Sequence, residues 1–414
     1  MSSLALSCAE EPAARVPAPR GRRSAPPAAG PFRIDRRVFL PHRVFSAAPL
    51  TAEQRVVVQC ARALAGSGAG PSAAALRACD PDRLLPLAWR HGMLPWLSRS
   101  AAAGGSAHPA AAPLRAAFLE NGVRALRLAG ELADVTGILE AAGVASLAYK
   151  GPALAIQAYG DASARDCSDL DLVVRREELD AAGAALVAAG FRDLSGSPAE
   201  RAAVLRDGHH LRYQRGDLLV EVHWRFGKSF FGFAEELSGL WERAEALDIR
   251  GRRVLALSVP DHLIALAIHA SKGMWSTLDA TVCMVRLAAR LRPGAWAGVV
   301  DRARAWRCEE ALRVSLLLGE RMLGTLYPRA LAAHLPPTAA ARRLAARVAA
   351  ELFVEEFGGR SFLLGQLALR PRYRDRLRFA VGALRYPRGS GDGRDGRARG
   401  GLATALARLR RYWR

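Results

Sequence analysis

Two aspartates one residue apart, Asp169 and Asp171, stand inside the otherwise apolar stretch SDLDLVV, residues 168–174. Ionised carboxylates are seldom buried unless something positive meets them. A β-strand sends residues i and i+2 to one face. Both acids therefore share a face, while Leu170 and Leu172 take the other. The stretch LLVEVHWRF, residues 218–226, repeats the device with Glu221 and His223. Laid side by side, these strands would gather three carboxylates at one point of a sheet. Like charges that close repel unless protons or a cation intervene. Mg²⁺ takes oxygen ligands and favours one or two carboxylates together with phosphates and water. The chemistry such a site serves is phosphoryl or nucleotidyl transfer. The plain alternative is an exposed strand edge, with Glu221 paired to an arginine.

Basic residues lie just upstream. Lysine occurs only at 150, 228 and 272, and every other basic side chain is arginine. A lysine at the strand-to-helix turn Lys150-Gly151 thus reads as a compact ammonium that arginine does not replace, or as an ordinary surface residue. Gly151 lets the backbone approach a ligand, and the helix after it offers N–H groups to an anion. Arg165 either meets a triphosphate or neutralises Asp166 or Asp169. His223 is one pleat from Glu221, within reach of a metal-bound group or an acceptor, or it serves as a structural hydrogen-bonding group. His209 and His210 precede it on a neighbouring strand and alternate faces, so only one of them is expected to point inward. His269 and Lys272 share a helix face, where they reach over the site or remain half-buried. Trp224 and Trp275 read as core or rim aromatics.

The elements that must position these groups follow from periodicity. Residues 1–48, rich in Pro, Ala and Arg, read as a disordered basic leader. Helices fill 49–143, opening with Thr51 as N-cap and Gln54 three residues on, a capping box. Residues 144–258 read as a small α/β core: a strand over VASLAYKG, a short helix at 152–159, the aspartate strand, and an amphipathic helix ending near Gly190. Two strands follow, joined by Gly216-Asp217, a tight-turn signal, and then a strand over RRVLALSV. Ser258 caps the next helix, and 259–385 continues helical. A Gly/Arg-rich linker and a basic terminal helix are expected over 386–414. The whole is α+β, a mixed-sheet core flanked by helical regions.

Composition narrows the classes. The formal charge of +21 on 414 residues invites a nucleic-acid reading. The arginine bias and the concentration of charge in the two tails favour a solvated basic surface instead. Six cysteines show neither C-x-x-C pairs nor zinc-like spacing with the nine histidines. No run approaches the roughly 18 to 20 apolar residues of a membrane span, and the N-terminus lacks the order of a secretory signal. The expected location is cytoplasmic. Leu402, Leu406 and Leu409, among arginines near the C-terminus, suit a membrane-surface helix or a partner contact equally.

From Lys150-Gly151 through Tyr159, Arg165, Ser168, Asp169, Asp171, Gly190-Phe191, His209 or His210, and Glu221-Val222-His223-Trp224, the chain resembles the uncharacterised nucleotidyltransferase family of bacteria. That family lies within the DNA polymerase β-like nucleotidyltransferase superfamily. The resemblance is dense over 148–226 and looser through AWRHGMLP upstream and on to Asp279. It implies that Asp169 and Asp171 ligate Mg²⁺ and that Glu221 completes the carboxylate triad. Lys150, Gly151, Arg165 and Ser168 would contact the nucleotide. The superfamily usually grips the triphosphate with a Gly-Ser turn, where this chain has Lys-Gly-Pro. The implied activity is transfer of an NMP, AMP from ATP or another NTP, to a hydroxyl of a small molecule, peptide or protein, with pyrophosphate released. The other reading is a non-catalytic, antitoxin-like or nucleic-acid-binding partner on the same fold. Three clustered acids argue against it.

Overall fold

The computed structural model describes residues 49–103, 111–354 and 359–385. The leader expected over 1–48 and the linker and basic helix expected over 386–414 lie outside these residues. The fold is α+β. Helices α1 (Ala52–Leu64), α2 (Ala73–Arg77), α3 (Pro81–Arg90), α4 (Leu94–Ala103) and α5 (Ala111–Ala141) come first. Thr51 opens α1 with both halves of the capping box: Gln54 N–H donates to Thr51 Oγ1 at 3.3 Å and Thr51 N–H to Gln54 Oε1 at 3.1 Å.

The core then runs β1 (Leu147–Tyr149), α6 (Gly151–Tyr159), β2 (Asp169–Val173), α7 (Leu179–Ala188), β3 (Arg192–Asp193), α8 (Pro198–Asp207), β4 (His210–Arg215), β5 (Leu218–His223), β6 (Glu245–Ile249) and β7 (Arg252–Ala256). These strands form one sheet in the order β3-β4-β5-β2-β1-β7-β6. β2 runs parallel to β5 and antiparallel to β1. The hairpin β4–β5 closes at Gly216, whose φ of 59° suits a residue without Cβ. Helices α9 (Val259–Lys272), α10 (Leu278–Ala289), α11 (Ala295–Ala305), α12 (Glu309–Leu318), α13 (Arg329–Ala332), α14 (Ala339–Ala350), α15 (Gly359–Ala368) and α16 (Tyr373–Arg385) follow. Ser258 caps α9, accepting from Asp261 N–H at 3.3 Å.

Strand alternation sorts the sheet into two faces. Leu170, Leu172, Val220, Val222 and Tyr213 pack against Leu132 and Leu139 of α5 and Leu179 and Leu186 of α7. Tyr149 and Val173, one pleat away, belong to the larger core with α1, α9, α10 and α12. Asp171, Glu221 and His223 have the parity of this second face, so the helical C-terminal region roofs the acids. Three elements escaped the periodicity reading. α8 buries none of its residues and carries no apolar stripe. β3 has two exposed residues and β6 buries only its last. Edge elements lack the one-sided burial that makes a pattern visible. All five cysteines among the described residues are buried and free. No helix among them is long and apolar enough to cross a membrane.

Candidate active site

The register of β2 on β5 builds the centre. Asp171 lies directly opposite Glu221, whereas Asp169 lies opposite Leu219, one pleat further along the same face. His223 Nε2 is 2.8 Å from Asp171 Oδ1 and 3.3 Å from Glu221 Oε2. Lys150 Nζ donates to the same Asp171 Oδ1 at 2.8 Å. The tight donor cluster is therefore Asp171, Glu221 and His223, whose ligand atoms all fall within 4.8 Å of one another. Asp169 stands beside it rather than in it, because a strand advances two residues before returning to the same face.

Electrostatics divides the three acids. Burial raises the Asp171 carboxyl, but Lys150 and His223 outweigh it and hold the group well below the ordinary carboxylate range. Glu221 follows the same pattern: burial pushes up, and His223 and His210 pull it down to about 2. Asp169 has no such partner. Burial, then repulsion from Asp171 and Glu221, drives it up to about 6 against the weaker pull of Lys150. A carboxylate pair with a third, under-compensated acid on the same face is a donor set that fits a divalent cation. The oxygens suit Mg²⁺, while His223 adds a nitrogen.

Lys150 is held under strain. Its backbone has φ 53° and ψ −145°, a region a residue with a Cβ seldom enters. Strain of this kind persists where the surroundings over-determine it, often at functional sites. Two features do so here. Lys150 N–H donates to His262 Nε2 at 3.1 Å, and the other ring nitrogen of His262 lies 2.6 Å from Gln157 Oε1. Burial, then the charges of Arg165 and Lys150, lowers His262 to about 3, so the ring is neutral, with Nδ1–H donating to Gln157. Gln157 is tied in turn to Leu257 O at 2.8 Å. Next to Lys150, Gly151 opens α6 at φ 45°, so near β2 that a Cβ there would lie 3.4 Å from the Asp169 carbonyl oxygen. The turn, the helix start and the acids thus form one continuous wall.

His262 was missed as a site-supporting residue at the sequence level. Its signal was present: His262, His269 and Lys272 recur at helical spacing on one side of α9. Lys272 Nζ lies 3.2 Å from His209 Nε2 and donates to Phe226 O at 2.8 Å. Burial, then the charge of Lys150, lowers its ammonium to about 7. Burial, with Lys150 and Lys272 adding, also holds His269 well below its ordinary value.

Both His209 and His210 come to the site, against the expectation that only one would. Their ring centroids are 4.4 Å apart and lie 5.7 and 5.0 Å from His223. Strand alternation governs only residues inside the strand; β4 begins at His210, leaving His209 in the bend before it. Burial and neighbouring positive charge keep both rings neutral, His210 at about 3. His223 is the exception. Burial lowers it, but its contacts with Asp171 and Glu221 raise it overall.

Arg165 meets neither Asp166 nor Asp169. It clasps Asp279, at the start of α10, with Nη2–Oδ2 at 2.5 Å and Nε–Oδ1 at 3.3 Å. Asp166 pairs with Arg124 at 2.6 Å instead. Asp279 N–H also donates to His91 O at 3.1 Å and Asp279 crowds Gly92, so AWRHGMLP meets the start of α10. Ser168 is exposed immediately before Asp169. Trp224 and Trp275 are buried core residues, and Trp275 Nε1 donates to Ser315 Oγ at 2.8 Å.

A mixed sheet that opposes an aspartate to a glutamate on adjacent parallel strands, beside a basic turn opening a helix, has the features of a nucleotidyl-transfer fold. Residues 77–324, more than half of the chain, match the family described as uncharacterised nucleotidyltransferase, and the chain belongs to that family. It is accordingly a transferase of this kind, and an NTP is its implied substrate. No curated protein and no solved structure matches it.

Proposed function

We propose that the chain moves a nucleoside monophosphate, AMP from ATP, onto a hydroxyl of a small molecule, peptide or protein in a Mg²⁺-dependent reaction. The acceptor oxygen bonds to the α-phosphorus as the bond to the β-phosphate oxygen breaks. Pyrophosphate leaves with that electron pair, and the hydroxyl proton passes to the carboxylate cluster. The observation that carries this reading is the register that sets Asp171 against Glu221 with Asp169 on the same face. Asp169, Asp171 and Glu221 would hold the metal, which would neutralise phosphate charge and activate the attacking oxygen. Lys150 and the N–H groups opening α6 take phosphate charge. His262 and Gln157 keep Lys150 in its strained conformation, and Arg165 with Asp279 braces the segment leading into β2. Lys272 and His209 line the approach on the acceptor side.

The test is release of pyrophosphate from labelled NTPs with Mg²⁺ and cell extract, followed by identification of the labelled acceptor. An Asp169→Asn/Asp171→Asn protein should release none. Equal Mg²⁺-ATP binding by wild type and variant, with neither releasing pyrophosphate, would overturn the proposal in favour of a non-catalytic partner protein.

A further inference from the structure

Beyond the C-terminal ends of β2 and β5 lies a half-open cavity of about 560 Å³, within the range of small-molecule sites. It is separate from the carboxylate cluster. Val174, on its wall, lies three extended residues past Asp171, about 10 Å along the strand. Besides Arg175, which pairs with Glu178 at 3.3 Å, three arginines from three different segments line it: Arg176 after β2, Arg225 after β5, and Arg378 from α16. None of the ion pairs among the described residues involves any of these three. Arg176 donates only to a carbonyl, Leu205 O at 2.8 Å, with its guanidinium 5.6 Å over the Trp224 ring. Burial, then the like charge of Arg176 and Arg378, holds Arg225 below its ordinary value against the pull of Glu235.

Two of the three nearby acids accept backbone hydrogen bonds. Glu235 accepts from Phe226 N–H at 2.5 Å, and burial raises it to about 7. Glu236 accepts from Ser238 N–H at 3.1 Å, and Glu177 stands exposed on the rim. Arginines gathered without a direct carboxylate contact form a fork that matches the oxygens of a phosphate. The volume suits a small molecule, and Trp224 offers an apolar wall.

We propose that this cavity binds a small ligand through a phosphate group clasped by Arg176, Arg225 and Arg378. Nothing in this binding depends on nucleotidyl transfer. The cavity nevertheless adjoins the transfer site: Phe226, next to Arg225, packs its ring 5.0 Å from Tyr149, whose ring lies against both Lys150 and His223.

Phosphorus NMR on the full chain in EDTA tests it, with inorganic phosphate and glycerol phosphate as probes and glycerol as a competitor. Both phosphates should bind saturably and glycerol should displace neither. Arg225→Gln and Arg378→Gln should each weaken binding about tenfold or more, while Asp171→Asn leaves it unchanged. Tighter binding of glycerol phosphate would identify an organic phosphate as the ligand, and equal binding free phosphate. Should Arg225→Gln fail to fold, the exposed Arg378→Gln carries the test. Absence of saturable binding, indifference to both arginine changes, or loss on Lys150→Ala alone would overturn the proposal.

Discussion

Replacing Asp169 with asparagine should make the metal-free protein more stable at pH 8 while sharply reducing nucleotidyl transfer. Burial, then the charges of Asp171 and Glu221, lifts the Asp169 carboxyl from 3.8 to about 6. A folded value above the unfolded one means that the native state holds the proton longer. Native stability therefore falls as pH rises through that window. Each unit is worth about 1.4 kcal/mol, so the two-unit rise sets a ceiling of about 3 kcal/mol. Partial exposure of the group trims this to about 1–3 kcal/mol. No hydrogen bond or ion pair among the described residues holds the Asp169 side chain, so the isosteric amide gives up no contact and avoids the repulsion. Urea denaturation in EDTA should show wild type and variant nearly equal below about pH 4, with the variant pulling ahead to a plateau above about pH 7. Added Mg²⁺ should narrow the gap by stabilising wild type through binding. Pyrophosphate release should fall by a factor of about 10² or more. A difference that ignores pH, or an asparagine variant that is the weaker protein at pH 8, would refute the reasoning.

Lys150→Gly and Lys150→Ala both remove the partner of buried Asp171 and should both lose transfer. Glycine fits φ 53° without a Cβ, so it should outlast alanine in urea by about 1 kcal/mol; equal midpoints would deny the strain. Breaking the Arg165–Asp279 clasp with Arg165→Ala should cost about 3–5 kcal/mol, part of it recovered on adding Asp279→Ala. Strict additivity in that cycle would mean the pair is not coupled. His262→Ala leaves Lys150 N–H without its acceptor and should cost about 2 kcal/mol or more, with transfer reduced further than His269→Ala reduces it. Gly216→Ala, at φ 59° in the β4–β5 turn, should lower stability by about 1 kcal/mol, read from the urea midpoint, with transfer intact.

Much of this was legible along the chain. The alternation in SDLDLVV and LLVEVHW marked two strands and the face each acid takes, because side-chain parity is a local property of extended backbone. Thr51 and Ser258 marked helix starts, since a cap is made within four residues. What stayed hidden was spatial pairing. Arg165 finds Asp279 across 114 residues, and His262 supports Lys150 across 112. No local spacing selects such partners from a chain crowded with arginine.

The sequence by itself determined which residues could do chemistry and on which side of its own strand each would stand. The tertiary structure alone decided that Asp171, not Asp169, faces Glu221. It also decided that both His209 and His210 reach the centre, and that Lys150 donates to Asp171. Strand register is set by the packing of Leu170, Leu172, Val220 and Val222 against α5 and α7. Sliding one strand by a single residue would turn those leucines and valines out of the core, and that collective cost exists only once the segments meet.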